Sequence, residues 1–265
     1  MKRPKYQLYA TLLDSFQNYL DAEKNWELFY GGSEDPKYSV DEYEAMQRQE
    51  LIDRINRVPF ESEAADRGTA FNEVVDCLIL GRNTEREDME IVSLKEEGII
   101  RVQFRNNVFD YPISLCREFA EYFKGAVPQV RTEGVLQTKY GPVLLYGYID
   151  ELMPLSVHDI KTTSRYNAFK FRDHWQHVVY PYCLHQEGSK ITLFEYNIAV
   201  WGKTCETFTE PYNFDLVRDT ERLLNHCEQF IEFLENNRDM ITDKKIFNQL
   251  TTQSGIKNQT LWKQC

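Results

Sequence analysis

Six cysteines are spread over 265 residues, at 77, 116, 183, 205, 227 and 265, and no two form a C-x-x-C pair. That spacing excludes the common zinc and redox motifs and leaves reduced thiols that serve as small buried hydrophobes. No apolar run is long enough for a signal peptide or a membrane span, so the expected location is cytoplasmic, with no membrane partner. No G-x-x-x-x-G-K-[ST] stretch is present, which removes an ATP-driven motor from this chain. Positive charge is also short: 31 Lys and Arg face 42 Asp and Glu, a formal net charge of -11. A protein that grips nucleic acid by bulk electrostatics is thereby excluded.

What is present describes a folded protein, 42% hydrophobic and 14% aromatic with only 12 glycines and 9 prolines. Residues 8–30 place apolar positions at helical spacing, a second helical stretch runs from Val40 to Val58, and a third, AFNEVVDCLILG, opens at Gly68-Thr69 and closes at Gly81. The middle changes period. REDMEIVSLKEEGIIRVQF reads as short strands, ISLCREFAEYFKG as a helix, and QVRTEGVLQT, PVLLYGYID and SVHDIKT as a three-stranded meander. NAFKFRDHWQHVVYPYCLHQEG then reads as a helix with a kink or restart at Pro181. ITLFEYNIAV and CETFTEPY form a hairpin across Trp201-Gly202-Lys203, and FDLVRDTERLLNHCEQFIEFLENN is a long amphipathic helix. The polar tail after Asp243 reads as loosely held.

The charged groups at the meander's end need a reason. Alternate side chains of a strand share a face, so Asp159 and Lys161 point the same way, and pairing across the Met153-Pro154-Leu155 turn brings Asp150 close to Asp159. Two carboxylates in one small space repel unless something positive joins them. A hard divalent cation, Mg²⁺ or Mn²⁺, supplies that charge with oxygen ligands, acidifies a water and neutralises a phosphoryl oxygen. Lys161 can hold the water or stabilise the crowded phosphate. A lone D-x-K is common by chance; its neighbours carry the weight. Downstream, KTTSRYNAFKFR (161–172) has four basic residues and no acid, so a polyanion would be met there.

With these neighbours the chain resembles the PD-(D/E)XK nuclease superfamily, in particular its RecB-like branch of phage recombination exonucleases and CRISPR-associated relatives. The matching pieces are Gly147-Tyr148-Ile149-Asp150, Asp159-Ile160-Lys161-Thr162-Thr163, Gln176 with Tyr180 as Q-x-x-x-Y, and Arg67-Gly68-Thr69-Ala70-Phe71-Asn72-Glu73. The resemblance implies a mixed α/β (α+β) fold: a restriction-endonuclease-like core with a central mixed β-sheet flanked by helices, plus a helical N-terminal region. One such domain would span 1–265, divided into a mostly helical part (1–90), a catalytic core with its C-terminal helix (91–243) and the polar tail (244–265). Asp150, Asp159 and Lys161 would be catalytic, with Asp150, Asp159 and the Ile160 carbonyl binding Mg²⁺ or Mn²⁺. Gln176, Tyr180, Thr162, Thr163, Arg165, Lys170 and Arg172 would meet DNA. Where many relatives carry a histidine ligand, this chain has Asn72 followed by Glu73, and either side chain can offer oxygen instead. Some relatives hold an iron-sulfur cluster through one early and three grouped late cysteines. Only Cys227 and Cys265 are late here, so no cluster is expected.

Two functions follow from the resemblance. The first is a metal-dependent deoxyribonuclease, an exonuclease acting on DNA ends in phage or prophage recombination or repair. It would work beside a single-strand annealing or other recombination protein, or as a homo-oligomer that prevents escape from DNA. The second is a non-catalytic DNA-binding or assembly protein that keeps the fold.

Overall fold

A strand precedes the first helix. The computed structural model describes residues 3–201 and 205–248, and in it Tyr6–Tyr9 form β1 before α1 (Ala10–Leu20) and α2 (Ala22–Tyr30). The helical reading of 8–30 is thus corrected at its start and is broken at Asp21. The cause is the short apolar alternation YQLY, with Tyr6 and Leu8 buried, running into the helix without a turn residue between them. Helix α3 (Val40–Ile55) opens on a capping box in which Ser39 accepts from the Glu42 amide and the Glu42 carboxylate accepts from the Ser39 amide. Helix α4 (Glu63–Leu80) follows the Ser62 cap and so starts five residues before the Gly68-Thr69 expected to open it, and it closes on Gly81 at φ 61°.

A three-stranded antiparallel sheet follows, β2 (Met89–Leu94), β3 (Ile99–Phe104) and β4 (Asn107–Pro112), and then α5 (Ile113–Tyr122). The meander appears as β5 (Val127–Thr138), β6 (Gly141–Met153) and β7 (Ser156–Thr163). Next come α6 (Gln176–Gln186), β8 (Leu193–Val200), β9 (Glu206–Asn213) and α7 (Leu216–Asn236). The expected helix from Asn167 therefore starts only at Gln176 and runs through Pro181, and the stretch before it is a series of turns. Gly202 and Lys203 of the expected hairpin turn lie outside the described residues, as does the tail beyond Asn248. Up to Asn248 the tail is held: Ile246 and Phe247 are buried, and Asn248 accepts from Gln7 and donates to the Pro4 carbonyl.

The main sheet is mixed, in the order β1-β6-β7-β8-β9 with β5 on the other edge of β6. One face carries α1, α6 and α7 over a core that includes Leu12, Phe16, Val178, Phe194 and Phe230. The other face carries α4, α5 and the small sheet over Phe71, Phe104, Phe109, Tyr111 and Ile160. Four buried cysteines, Cys77, Cys116, Cys183 and Cys227, are free thiols. Among the described residues no helix is long and apolar enough to cross a membrane.

Candidate active site

Strand β6 shares one edge between two partners and leaves a gap. Strand β1 pairs in parallel with Val143–Tyr146, and β7 pairs antiparallel only with Glu151–Met153. Residues 147–150 between them have no strand partner on that edge, which makes a notch in the sheet. The β5 side is disturbed at the same level: the ladder joins Pro128 to Glu151 and Val130 to Ile149 but omits Gln129 and Asp150, and Gln129 takes φ 54°. A left-handed non-glycine residue inside a strand is uncommon and locally strained. Glycine at 147 is required here, because a Cβ would lie 2.4 Å from Cε1 of Tyr180.

Asp150 stands at the notch floor. Its Oδ2 accepts from the Ile160 amide at 2.9 Å and from Nδ2 of Asn72 at 3.0 Å, so one carboxylate oxygen ties β6, β7 and α4 together. Asp159 is buried and points to the α6 face, where its Oδ1 accepts from Nε2 of Gln176 and its Oδ2 lies 2.7 Å from Nζ of Lys161. Lys161 Nζ also donates to Oε1 of Gln176 at 2.7 Å. Gln176 thus bridges both charged groups, with its amide nitrogen on the anion and its amide oxygen on the cation. Tyr180, one turn further on, has its hydroxyl 3.3 Å from Nε2 of Gln176.

The electrostatics follow from burial. Asp150 is held well above the usual carboxylate range by burial first and then by the charge of Asp159. Burial pulls the Lys161 ammonium down, but the neighbouring Asp159 and then Asp150 outweigh it and leave the pKa raised, so Lys161 stays charged. Burial, with the charge of Asp159 added, lifts the Tyr180 phenol well above its ordinary value and keeps its proton in place.

Two acids that the sequence reading did not single out stand behind the site. Asp76 on α4 and Glu151 on β6 are both buried. Burial pushes Asp76 up to about 6, while burial and then the charge of Asp76 push Glu151 up to about 10. At neutral pH the raised Glu151 carboxyl keeps its proton beside Asp76. The available signal was spacing: Asp76 lies four positions after Asn72 on the same helix face.

The remaining sequence candidates separate. Asn72 is in the site, but Glu73 is turned to Arg82, whose Nη1 lies 3.2 Å from Oε1. Glu73 is therefore corrected to an ion-pair partner, because one helical step beyond Asn72 rotates it off the site. Gln176 and Tyr180, expected to face DNA, are 4% and 5% exposed and make their contacts inward. Thr162 and Thr163 continue β7; Gly68 of α4 passes Thr162 so closely that a Cβ would meet its Oγ1 at 3.2 Å. Lys170 donates to Thr163 Oγ1 at 2.6 Å and to the Arg165 carbonyl at 2.9 Å, folding the exposed basic loop back on the strand end. Arg172 is exposed on the same loop.

The donor set is all oxygen. Asp150 and Asp159 are joined by Oδ1 of Asn72, a buried amide oxygen with no hydrogen-bond partner. Such a set suits a hard divalent cation. Among the described residues no three His, Cys, Asp or Glu side chains converge as a metal cage, so water or substrate oxygens would complete the shell.

No family model matches the chain, and no curated protein matches it significantly. Among solved structures it is similar to a candidate exonuclease from Eubacterium rectale. The identity is 14%, the match covers 78% of this chain and 82% of that one, and the TM-score is 0.45. A second solved chain is 12% identical over 86% of this chain and 79% of its own, with a TM-score of 0.39. At these values the function has to be argued from the site itself.

Proposed function

We propose that this protein is a metal-dependent deoxyribonuclease that hydrolyses phosphodiester bonds, acting at DNA ends. The observation that carries the reading is the convergence of Asp150, Asp159 and Lys161 at a gap in a sheet edge, with Gln176 bridging the last two. A structural ion pair would need neither the second carboxylate nor the bare strand edge.

Asp150, Asp159, Asn72 Oδ1 and the Ile160 carbonyl would hold Mg²⁺ or Mn²⁺, which would acidify a water and neutralise a phosphoryl oxygen. The chain's own groups do the rest. Lys161 presents a fixed positive charge at the notch, where negative charge builds on the phosphate in the transition state. Gln176 limits the swing of both Lys161 and Asp159 and so fixes the orientation of the ion pair they form. The hydrogen bonds from Ile160 and Asn72 fix the rotamer of Asp150. Outside the notch, Arg165, Lys170 and Arg172 supply phosphate contacts that position DNA without reading its sequence. A role beside a recombination or annealing partner is an extension by analogy with such nucleases.

The test is cleavage of end-labelled linear and closed circular DNA with Mg²⁺, Mn²⁺ or EDTA, using wild type, Asp159→Ala and Lys161→Ala. Metal-dependent loss of the linear substrate by wild type alone is expected, with the circle spared. A wild type that binds DNA and is as inert as both variants would make this a non-catalytic DNA-binding protein.

A further inference from the structure

The notch holds more than the charged groups need. A cavity of about 320 Å³ opens beside it, lined by Tyr9, Arg57, Tyr146, Gly147, Tyr148 and Tyr180. Tyr146 and Tyr148 alternate along β6, so they lie on one face a step of about 6.7 Å apart, and Asp150 follows where the ladder breaks. Tyr9 ends β1 directly opposite Tyr146, with the two rings 5.7 Å apart. Tyr148 is 54% exposed although it sits in a central strand, and it has no aromatic neighbour within stacking distance among the described residues. Arg57 brings a guanidinium to the rim, 45% exposed and tethered by its Nε to Asp243 at 3.0 Å.

Flat aromatic faces beside a cation form a surface for an unstacked nucleobase. A base inside a duplex is stacked and paired and would have to leave the helix to enter. The net charge of -11 adds to the argument, since an acidic chain gains less affinity from phosphates and needs contacts of another kind.

We infer that the Tyr9/Tyr146/Tyr148 cavity with Arg57 is a subsite for one unpaired base next to the scissile phosphate, so that the preferred ligand is a single-stranded or frayed DNA end. This rests on the nucleic-acid reading of the same notch, but it is separable from catalysis because it concerns binding.

The experiment measures fluorescence anisotropy in EDTA, with a labelled single-stranded oligothymidine and a blunt duplex of the same length. Wild type, Tyr148→Ala and Tyr148→Phe are compared after circular dichroism has shown all three folded. Wild type is expected to prefer the single strand. Tyr148→Ala should lose roughly tenfold in single-strand affinity, in line with the alanine cost of one base–aromatic stack, and Tyr148→Phe should keep it. An oligothymidine with one base near its end removed should bind wild type and Tyr148→Ala alike. Equal binding of the two DNAs by wild type, equal binding by Tyr148→Ala and wild type, or a loss shared by Tyr148→Phe would each overturn the subsite. Absence of metal-dependent cleavage with the binding pattern intact would overturn the nuclease and leave the subsite standing.

Discussion

At position 147 there is room for a hydrogen atom and nothing larger. Gly147→Ala puts a methyl group 2.4 Å from the Tyr180 ring, and that ring is buried and cannot swing clear. A loss of about 1–3 kcal/mol in urea unfolding is expected, with a larger relative loss of DNA cleavage because the carboxylates stand beside the displaced ring. Gln176→Ala should behave differently. It leaves Asp159 Oδ1 and the Lys161 ammonium each short of a partner, at a cost of about 1–3 kcal/mol, and should lower kcat more than it raises KM. At this scale the sequence was informative where period alone decides. Asp159 and Lys161 share a strand face, and Gln176 and Tyr180 share a helix face. Asp76 was hidden because an acid amid the apolar run VVDCLIL reads as a solvated interruption, whereas here it is buried against Glu151. Glu73 turns away because it follows Asn72 by one helical step, a rotation legible in the sequence, whereas its pairing with Arg82 beyond the helix end was not.

Elements explain why α6 can hold Gln176 at its first turn. The helix has no side-chain cap of its own. Asp14 of α1 supplies one from a distance, accepting from the Trp175 amide at 2.6 Å, with His174 Nδ1 3.3 Å from its other oxygen. A carboxylate there satisfies an orphan N–H and meets the positive end of the helix. Asp14→Ala is expected to cost about 0.5–2 kcal/mol, the range of a lost N-cap, while Asp14→Asn keeps an acceptor and should lose less; chemical denaturation measures both. This cap was not legible in the sequence because 161 positions separate its partners. Strand β1 was missed for a related reason. Four residues carry too little alternation to oppose the helix that follows, and only the open edge of β6 makes them a strand. The meander, by contrast, was legible from two turns and three apolar runs, since its pairings are local.

Across the whole molecule, charge and burial set the response to solution conditions. DNA binding should weaken as salt rises, with a log–log slope near -0.9 for each duplex phosphate neutralised; the few basic residues on the 165–172 loop argue for a shallow slope, read by anisotropy across a salt series. Two buried histidines weaken the fold in acid. Burial lowers His177 and His226 to about 4 each, so in the folded protein they stay neutral after the unfolded chain has begun to protonate at about 6.5. The folded pKa is depressed, so their contribution is complete above pH 6.5 and is lost as pH falls toward 4. In the same window the raised carboxyls of Asp76, Asp150 and Glu151 act with the opposite sign, because they hold protons that the unfolded chain has released. The histidine part is read as a difference: His226→Gln, which keeps a donor for the Leu13 carbonyl 3.1 Å away, should lose less thermal stability than wild type between pH 6.5 and 4.

One wall of the notch comes from the end of β1, at residue 9, and the opposite wall from β7, near residue 160. Lys5 and Tyr140, 135 positions apart, are hydrogen-bonded where β1 meets the β5–β6 turn. Closing so long a loop is entropically unfavourable and slow compared with forming a hairpin. During synthesis, the meander can therefore form while the wall supplied by β1 is still undocked. The chemistry is timed by topology: the pocket that would admit a DNA end exists only after the two distant segments have met.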